Sequence, residues 1–239
     1  VHAAAAGADV TVLPEMWGLG NDRNWPREHY EDLDSAAVLY HSLARWAQPR
    51  TGPYIRRLQA VARAHGVAIA APFLEQVVPP ETEDAGHLDA EQSGWDPLPP
   101  RNTVALIDRH GALLYTYAKV HVAFTGATGS DKGASVEGFT MQGRGFPVAN
   151  LDVRGRNVSI CSFICFDREH PEAAAMCAAK GAELVLMPTA CPIPYAYFDK
   201  ISTRAATNLV GIAMANFANA TAPTWTSDQW GRSYAADHT

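Results

Sequence analysis

Short apolar runs rich in β-branched residues recur along this chain, and three of them end at or just before a chemically reactive side chain. ADVTVLP precedes Glu15, ALLYTYAKV contains Lys119 near its end, and NVSICSFI precedes Cys165. Runs of this length and composition are typical of buried strands. The chain is therefore predicted to present a carboxylate, an ammonium and a thiol at the ends of strands.

The rest of the pattern predicts an α/β fold, with a sheet of mixed strand direction and helices on its outer faces. Further strand patterns lie at 67–74, 102–108, 146–153, 182–188 and 210–217, and helical patterns at 35–48, 53–64, 171–180 and 198–209. Gly111 and Gly155 lie in turns that join two pairs of strands into hairpins. The proline-rich residues 77–100 predict a surface insertion, and the glycine-rich residues 125–145 predict a loop over the strand ends.

The bulk composition excludes several classes of function. Hydrophobic residues make up 47% of the 239 residues and charged residues 18%, which is ordinary for one globular domain. A net charge of −6 argues against binding to nucleic acid or other polyanions. No apolar run approaches the roughly 20 residues that a membrane span needs, so we expect no membrane partner.

The four cysteines, Cys161, Cys165, Cys177 and Cys191, lie in the last third of the chain. They lack the paired spacing of a zinc site, so we expect no metal. No secretory signal is visible in the sequence, and disulfides are uncommon in proteins of reducing compartments. We therefore expect four reduced thiols in a cytoplasmic protein.

Five blocks of sequence, in order, resemble the nitrilase superfamily of carbon–nitrogen hydrolases. The blocks run over residues 7–15, 65–76, 101–122, 146–190 and 204–218. The resemblance implies that family's four-layer αββα sandwich, two mixed sheets back to back between helical layers, as a single domain over residues 1–239. It also implies that the chain lacks the family's N-terminal strand and its C-terminal strands, with SDQWGR as a remnant of the latter.

The same resemblance assigns a Glu-Lys-Cys triad to Glu15, Lys119 and Cys165. These residues are 104 and 46 positions apart, so no local pattern predicts that they meet. In the family pattern Glu15 is the general base, Lys119 stabilises the oxyanion and Cys165 is the nucleophile. Partial burial beside Met16 and Trp17 is expected to raise the pKa of Glu15.

Residues around the triad receive auxiliary roles from the resemblance. The backbone N–H of Phe166 is expected to be a second oxyanion donor, and Glu137 is expected to contact Lys119 or the substrate amine. The candidates for substrate binding or for lining the pocket are Trp17, Trp25, His121, Arg168, Ala190, Cys191 and Tyr195. For each aromatic residue alone, packing is the commoner role.

The residues after the nucleophile indicate a branch of the superfamily. Phe166-Asp167 resembles the amidases and carbamoylases, whereas nitrilases usually carry Trp-Glu. Arg168 matches the first of two adjacent arginines of D-amino-acid carbamoylases, and Glu169 stands in place of the second. Losing a cation and gaining an anion predicts a substrate with a basic or neutral tail.

The resemblance thus implies a thiol-dependent hydrolase of an amide or N-carbamoyl amine, which releases ammonia through a thioester and needs no cofactor. It also implies a homodimer or larger homo-oligomer. Three alternatives stay open at this point. They are a nitrile hydrolase with the same triad, an acyltransferase that passes the thioester to an amine, and a catalytically silent binding or scaffold protein of the same fold.

Overall fold

A computed structural model describes residues 1–19, 43–77, 98–123, 137, 140–191, 196–217 and 233–238. Its α-helices are α1 (His2–Ala5), α2 (Pro53–His65), α3 (Pro171–Ala179) and α4 (Ala196–Asn208). Residues 43–46 are also helical, which agrees with the end of the helix predicted over 35–48. Two short 3₁₀ turns, Trp17–Leu19 and Cys165–Glu169, follow the first and sixth strands.

Among the described residues, the first sheet contains four strands side by side in chain order: β1 (Val10–Val12), β2 (Ala68–Glu75), β3 (Arg101–Ile107) and β4 (Leu113–Ala118). β1 and β2 are parallel, whereas the pairs β2–β3 and β3–β4 are antiparallel. Gly111 lies in the β3–β4 turn with φ of 80°, and a Cβ there would meet the Gln59 carbonyl of α2 at 2.6 Å. The turn therefore needs glycine both for its backbone angle and for space.

In the described part of the chain, the second sheet contains five strands in chain order: β5 (Val148–Val153), β6 (Arg156–Ser162), β7 (Leu184–Pro188), β8 (Gly211–Ala215) and β9 (Tyr234–Ala236). β6, β7 and β8 are parallel and are connected through α3 and α4, while both outer pairs are antiparallel. The predicted strands from β1 to β8 are confirmed. β9 was not predicted. In the sequence, only SDQWGR, just before β9, is interpreted as a remnant of the family's C-terminal strands.

Alternate residues of β2 enter two different cores, as a strand buried on both faces requires. Ala68 and Ala70 pack in one core with Ile160 of the second sheet. Ile69 packs in the other core with Ile55 of α2. Because α3 and α4 also contribute buried residues to the first core from the far side of the second sheet, the layers are helix, sheet, sheet and helix. The predicted αββα sandwich is confirmed.

The ends of α2 and α3 follow from their sequences. Pro53 and Pro171 occupy the first turns, where the missing proline N–H costs nothing. Gly66 ends α2 in the left-handed conformation at φ 60°. These features confirm the predicted helices at 53–64 and 171–180.

The expectation of four reduced thiols is wrong for two of them. Cys161 of β6 and Cys177 of α3 form a disulfide, with Cα atoms 5.8 Å apart. Both residues are fully buried in the core between the second sheet and its helices. The pairing depends on how α3 lies across β6, which no local sequence pattern reports.

Among the described residues, no helix is long and apolar enough to cross a bilayer, and no group of three or more acidic, histidine or cysteine side chains could hold a metal ion. Several predictions fall outside the described part of the chain: the roles of Trp25 and Tyr195, the insertion after residue 77, the strand–turn at 227–232 and most of the loop at 125–145.

Candidate active site

The ends of β1 and β4 bring Glu15 and Lys119 into contact. The Lys119 ammonium donates a hydrogen bond to Glu15 Oε1 at 2.8 Å, and both side chains are fully buried. The Asn102 amide donates to the same carboxylate oxygen at 2.8 Å. Asn102 and Lys119 are also joined through their backbones across the β3–β4 hairpin, at 2.8 Å. The pair is therefore held by strand register and not by flexible loops.

A second carboxylate completes the surroundings of Lys119. Glu137 Oε1 lies 2.6 Å from the Lys119 ammonium, and Glu137 Oε2 accepts a hydrogen bond from the Ala123 N–H at 2.6 Å. Lys119 thus bridges two carboxylates, Glu15 and Glu137. The structure places Glu137 against Lys119, which is one of the two contacts that the family resemblance implies.

The pKa values in this cluster follow from burial and the shared cation. Burial opposes the charged form of Glu15, but the charge and hydrogen bond of Lys119 outweigh it and hold the pKa of Glu15 below its ordinary value. The predicted upward shift was therefore wrong in direction. Burial raises the pKa of Glu137 to about 7, with Lys119 opposing the shift and Glu15 reinforcing it. Although burial disfavours the Lys119 ammonium, the two carboxylates hold the lysine pKa above its usual range.

Cys165 lies at a strained turn directly after β6. Its φ is +43°, in the left-handed region that non-glycine residues rarely occupy. Met16, the residue after Glu15, is also left-handed, with φ of 56°. Strained backbone of this kind costs about 1–3 kcal/mol per residue and is concentrated at functional sites.

Phe166 follows Cys165 in the first turn of the 3₁₀ helix. Backbone N–H groups in a first helical turn have no acceptor within the helix, which suits the oxyanion role predicted for Phe166. Its ring packs edge-on against His170, with centroids 5.7 Å apart. This packing holds the turn against the start of α3.

Asp167 connects the nucleophile turn to the segment around Lys119. Its fully buried carboxylate accepts hydrogen bonds from the Tyr117 hydroxyl at 2.6 Å, the His121 N–H at 2.9 Å and the Ile164 N–H at 2.8 Å. The Nδ1 atom of His121 lies 2.8 Å from Asp167 Oδ1. Lys119 lies between Tyr117 and His121, so Asp167 fixes the position of the lysine relative to Cys165.

Arg168 contacts the sulfur of the predicted nucleophile and that of a second cysteine. Its Nη1 lies 3.4 Å from Cys165 Sγ, and its Nη2 lies 3.4 Å from Cys191 Sγ. The two sulfurs are 3.6 Å apart, with Cys165 donating. The hydrogen bond to Cys191 and burial both raise the pKa of the Cys165 thiol. The hydrogen bond from Cys165, together with Arg168, lowers the pKa of Cys191.

Glu169, the residue that distinguishes this chain from the double-arginine pattern, is paired with two cations. Its Oε1 lies 3.0 Å from Arg168 Nε, and its Oε2 lies 2.5 Å from the Lys200 ammonium on α4. Both partners offset the charge of Glu169. The substrate with a basic or neutral tail stays a prediction.

The other predicted substrate-binding residues lie around this cluster. Trp17 is partly exposed and stacks on Phe217 at 5.5 Å. His121 stacks on His170 with ring centroids 3.8 Å apart. Ala190 lies between Cys191 and Thr189, whose carbonyl accepts a hydrogen bond from the Glu15 N–H. These three remain predictions for substrate contact.

Sequence reasoning missed Asn102 and the positioning role of Asp167. The β3–β4 hairpin pairs Thr103 with Ala118, which places Asn102 opposite Lys119. A polar residue opposite Lys119 in a buried hairpin is the signal in the sequence that could have indicated Asn102. In the sequence, Asp167 indicates only the branch of the superfamily. Its fully buried carboxylate, two positions after Cys165, requires several hydrogen-bond donors.

Two bacterial proteins are similar in sequence to most of this chain. A Pseudomonas protegens protein, described as the hydrolase in the pqqF 5′ region, is 31% identical over 219 residues, which cover 91% of this chain and 61% of that protein. The citrullinase of Francisella tularensis is 31% identical over 249 residues, which cover the whole of this chain and 73% of the citrullinase. The chain therefore spans about three fifths of the Pseudomonas relative and about three quarters of the citrullinase.

Solved structures of an amidase from Nesterenkonia sp. AN1 have a similar fold. One, with the acetamide moiety of fluoroacetamide added covalently at its active-site cysteine, superposes with a TM-score of 0.62 at 22% identity, covering 99% of this chain and 72% of that one. Another gives a TM-score of 0.58 at 24% identity, covering 89% and 64%. At this identity the likeness shows the fold alone.

The family model described as carbon–nitrogen hydrolase matches residues 1–238. This match spans both sheets, the covering helices and the cluster of Glu15, Lys119 and Cys165. The chain belongs to the carbon–nitrogen hydrolase family of the nitrilase superfamily.

Proposed function

We propose that this protein hydrolyses a non-peptide C–N bond, in an amide or an N-carbamoyl amine, through a thioester on Cys165. The observation that carries the proposal is the buried ion pair of Glu15 and Lys119, at 2.8 Å, whose charges both act on the Cys165 thiol. Family membership supports a C–N hydrolase, and the fold is shared with an amidase.

In the proposed first step, Cys165 attacks the carbonyl carbon of the substrate while its proton passes to Glu15. Because the pKa of Cys165 is raised and that of Glu15 is lowered, the resting site holds a thiol and a carboxylate. Proton transfer therefore accompanies the attack instead of preceding it. The oxyanion that forms is stabilised by Lys119 and by the N–H of Phe166, which makes the transfer favourable.

In the following steps the tetrahedral intermediate collapses and the C–N bond breaks. Glu15 returns its proton to the departing ammonia or amine, and an acyl or carbamoyl thioester remains on Cys165. Glu15 then takes a proton from water, whose oxygen attacks the thioester. Collapse of this second intermediate breaks the C–S bond, and Glu15 returns its proton to the departing sulfur, which releases the acid and the Cys165 thiol.

The charges of the site favour a neutral group at the reacting carbon. Lys119 is offset by Glu15 and Glu137, and Arg168 is offset by Glu169 and the Cys191 sulfur. A citrullinase acts on citrulline, whose side chain ends in a neutral carbamoyl group, and such a relative supports a carbamoyl substrate for this chain. We therefore place N-carbamoyl amines with neutral tails first among the candidates.

The test is ammonia release from a panel of N-carbamoyl amines, N-carbamoyl amino acids, primary amides and nitriles. We expect release by the parent protein, and its loss in Cys165→Ala and in Glu15→Gln. Glu172→Gln, which changes an exposed carboxyl on α3, is the matched control and should keep the parent rate.

Other outcomes separate the alternatives. Nitriles as the best substrates would indicate a nitrile hydrolase, and hydroxamate formed with added hydroxylamine would reveal acyl transfer from the same thioester. No release from any substrate, with Cys165 unreactive toward iodoacetamide, would refute the proposal in favour of a silent scaffold.

A further inference from the structure

A second thiol lies beside the predicted nucleophile and has no part in the reaction proposed above. The sulfur of Cys191, just after β7, is 3.6 Å from the sulfur of Cys165. A disulfide bond is about 2.05 Å long, so the two sulfurs are within roughly 1.5 Å of bonding distance. The two cysteines are 26 positions apart, and the parallel pairing of β6 with β7 brings them together.

The surroundings favour a thiolate on the second thiol. The buried Arg168 guanidinium touches both sulfurs at 3.4 Å, and a cation within contact distance stabilises a thiolate. Cys191 is partly exposed, whereas Cys165 is buried. Of the two sulfurs, Cys191 is therefore the more accessible to a small reagent and the more reactive, and the lowered pKa of Cys191 agrees with this assignment.

We propose that Cys191 and Cys165 form an oxidative modification site, at which peroxide closes a disulfide that blocks the nucleophile. The effect on activity rests on the proposed function, whereas bond formation itself does not. The bond converts the reactive thiol into a form that a dithiol can restore. Without a neighbouring thiol, further oxidation of Cys165 would lead to sulfinic and sulfonic acids, which are not reversed by dithiols.

The chemistry balances with hydrogen peroxide as the two-electron oxidant. The Cys191 thiolate attacks one peroxide oxygen, the O–O bond breaks, and hydroxide leaves a sulfenic acid on Cys191. The Cys165 sulfur then attacks the Cys191 sulfur, so that the S–S bond forms and the S–O bond breaks. The departing hydroxide takes the Cys165 proton as water, and the first hydroxide is protonated by solvent.

The bond can be mapped by mass spectrometry after treatment with a small molar excess of hydrogen peroxide and alkylation with iodoacetamide. Trypsin alone leaves Cys161 and Cys165 in one peptide, residues 157–168, so chymotrypsin is added to cleave after Phe163. We expect a peptide containing Cys165 to be linked to one containing Cys191. The Cys161–Cys177 link, present before and after treatment, is the internal control.

Activity and variants complete the test. In the parent protein, peroxide should abolish ammonia release, and dithiothreitol should restore it. In Cys191→Ser, the cross-link should be lost, and Cys165 should gain two or three oxygen atoms that dithiothreitol does not remove. Arg168→Met should slow cross-link formation at neutral pH, because the guanidinium no longer stabilises the thiolate. The cross-link is measured without an activity assay, so it remains informative if a variant is inactive.

The failures of the two proposals are distinguishable. A cross-link in a protein that hydrolyses none of the substrates would leave the modification site standing and remove the proposed function. An active parent protein whose Cys165 is over-oxidised by peroxide without any cross-link to Cys191 would overturn the modification site and leave the hydrolase intact.

Discussion

Asp167→Asn tests whether the Asp167 carboxylate stabilises the fold by accepting hydrogen bonds from four donors. These bonds join the turn at Cys165 to the residues on either side of Lys119. The change keeps the size of the side chain but replaces one oxygen by an NH₂ group, which is a donor. Oδ1 faces the N–H and Nδ1 of His121, whereas Oδ2 faces the Tyr117 hydroxyl and the Ile164 N–H. Either orientation of the amide therefore turns its NH₂ toward a backbone N–H.

The cost follows from counting the donors. The Tyr117 hydroxyl can rotate and His121 can change tautomer, but the backbone N–H groups of His121 and Ile164 cannot become acceptors. One buried N–H is thus left unpaired, at about 1–3 kcal/mol, and the remaining hydrogen bonds lose the charge of their acceptor, at about 1 kcal/mol each. We expect a loss of about 3–5 kcal/mol, which corresponds to about 6–20 °C in Tm for a chain of this size.

Thermal and urea unfolding of the parent and the variant measure this loss, and the rate of Cys165 alkylation reports whether the nucleophile turn has moved. The matched control is Asp152→Asn, in which the carboxylate accepts a hydrogen bond from Gly155 at an exposed turn. This control should change Tm little. A decrease in Tm of less than about 2 °C in Asp167→Asn would refute the reasoning, because the amide would then satisfy every donor.

Three further predictions concern charge, space and thiol reactivity. The pKa of Glu137 is about 7 in the folded protein and 4.5 in the unfolded chain, so the free energy of unfolding should decrease as the pH rises from 4.5 to about 7. In urea unfolding, Glu137→Gln should show a weaker pH dependence over this range. Gly143→Ala puts a Cβ 2.1 Å from a carbonyl oxygen of β4 and should cost about 1–3 kcal/mol or more in urea unfolding, whereas Gly145→Ala, with space around it, should not. At neutral pH, iodoacetamide should label Cys191 before Cys165, and equal rates measured on their peptides would contradict the assigned protonation states.

The local elements of the fold were predictable because their signals are local. Pro171 at the start of α3, Gly66 at the end of α2 and Gly111 in the hairpin turn each occupy a position that other residues fill poorly. β9 gave no such signal. It has only three residues, and its antiparallel pairing with β8, 20 to 24 positions earlier in the chain, stabilises it more than its own composition does.

The candidate site was predictable as a set of residues but not in its electrostatics. Glu15 and Lys119 were matched to a family pattern, and their contact at 2.8 Å depends on the order of strands across the first sheet. The direction of the Glu15 pKa shift depends on that contact, so burial inferred from neighbouring residues predicted the wrong sign. The contact of Arg168 with the sulfurs of Cys165 and Cys191 likewise requires β6 and β7 to be adjacent. No local sequence pattern predicts that adjacency.

The resting protonation states of Lys119, Glu15 and Cys165 are compatible with a thiol that loses its proton only when a substrate is bound. Lys119 is fully buried, yet two carboxylates keep it charged, so it acts as a fixed cation and cannot serve as a base. The lowered pKa of Glu15 keeps this residue a carboxylate, which suits the role of proton acceptor that we propose for it. In the proposed mechanism, Cys165 remains a thiol until a carbonyl carbon is in place, and the developing oxyanion beside Lys119 supplies the free energy for deprotonation. The proposed mechanism thus links the reactivity of Cys165 to the presence of a substrate carbonyl. In the proposed oxidation, the partly exposed Cys191 is the thiol that small oxidants meet first.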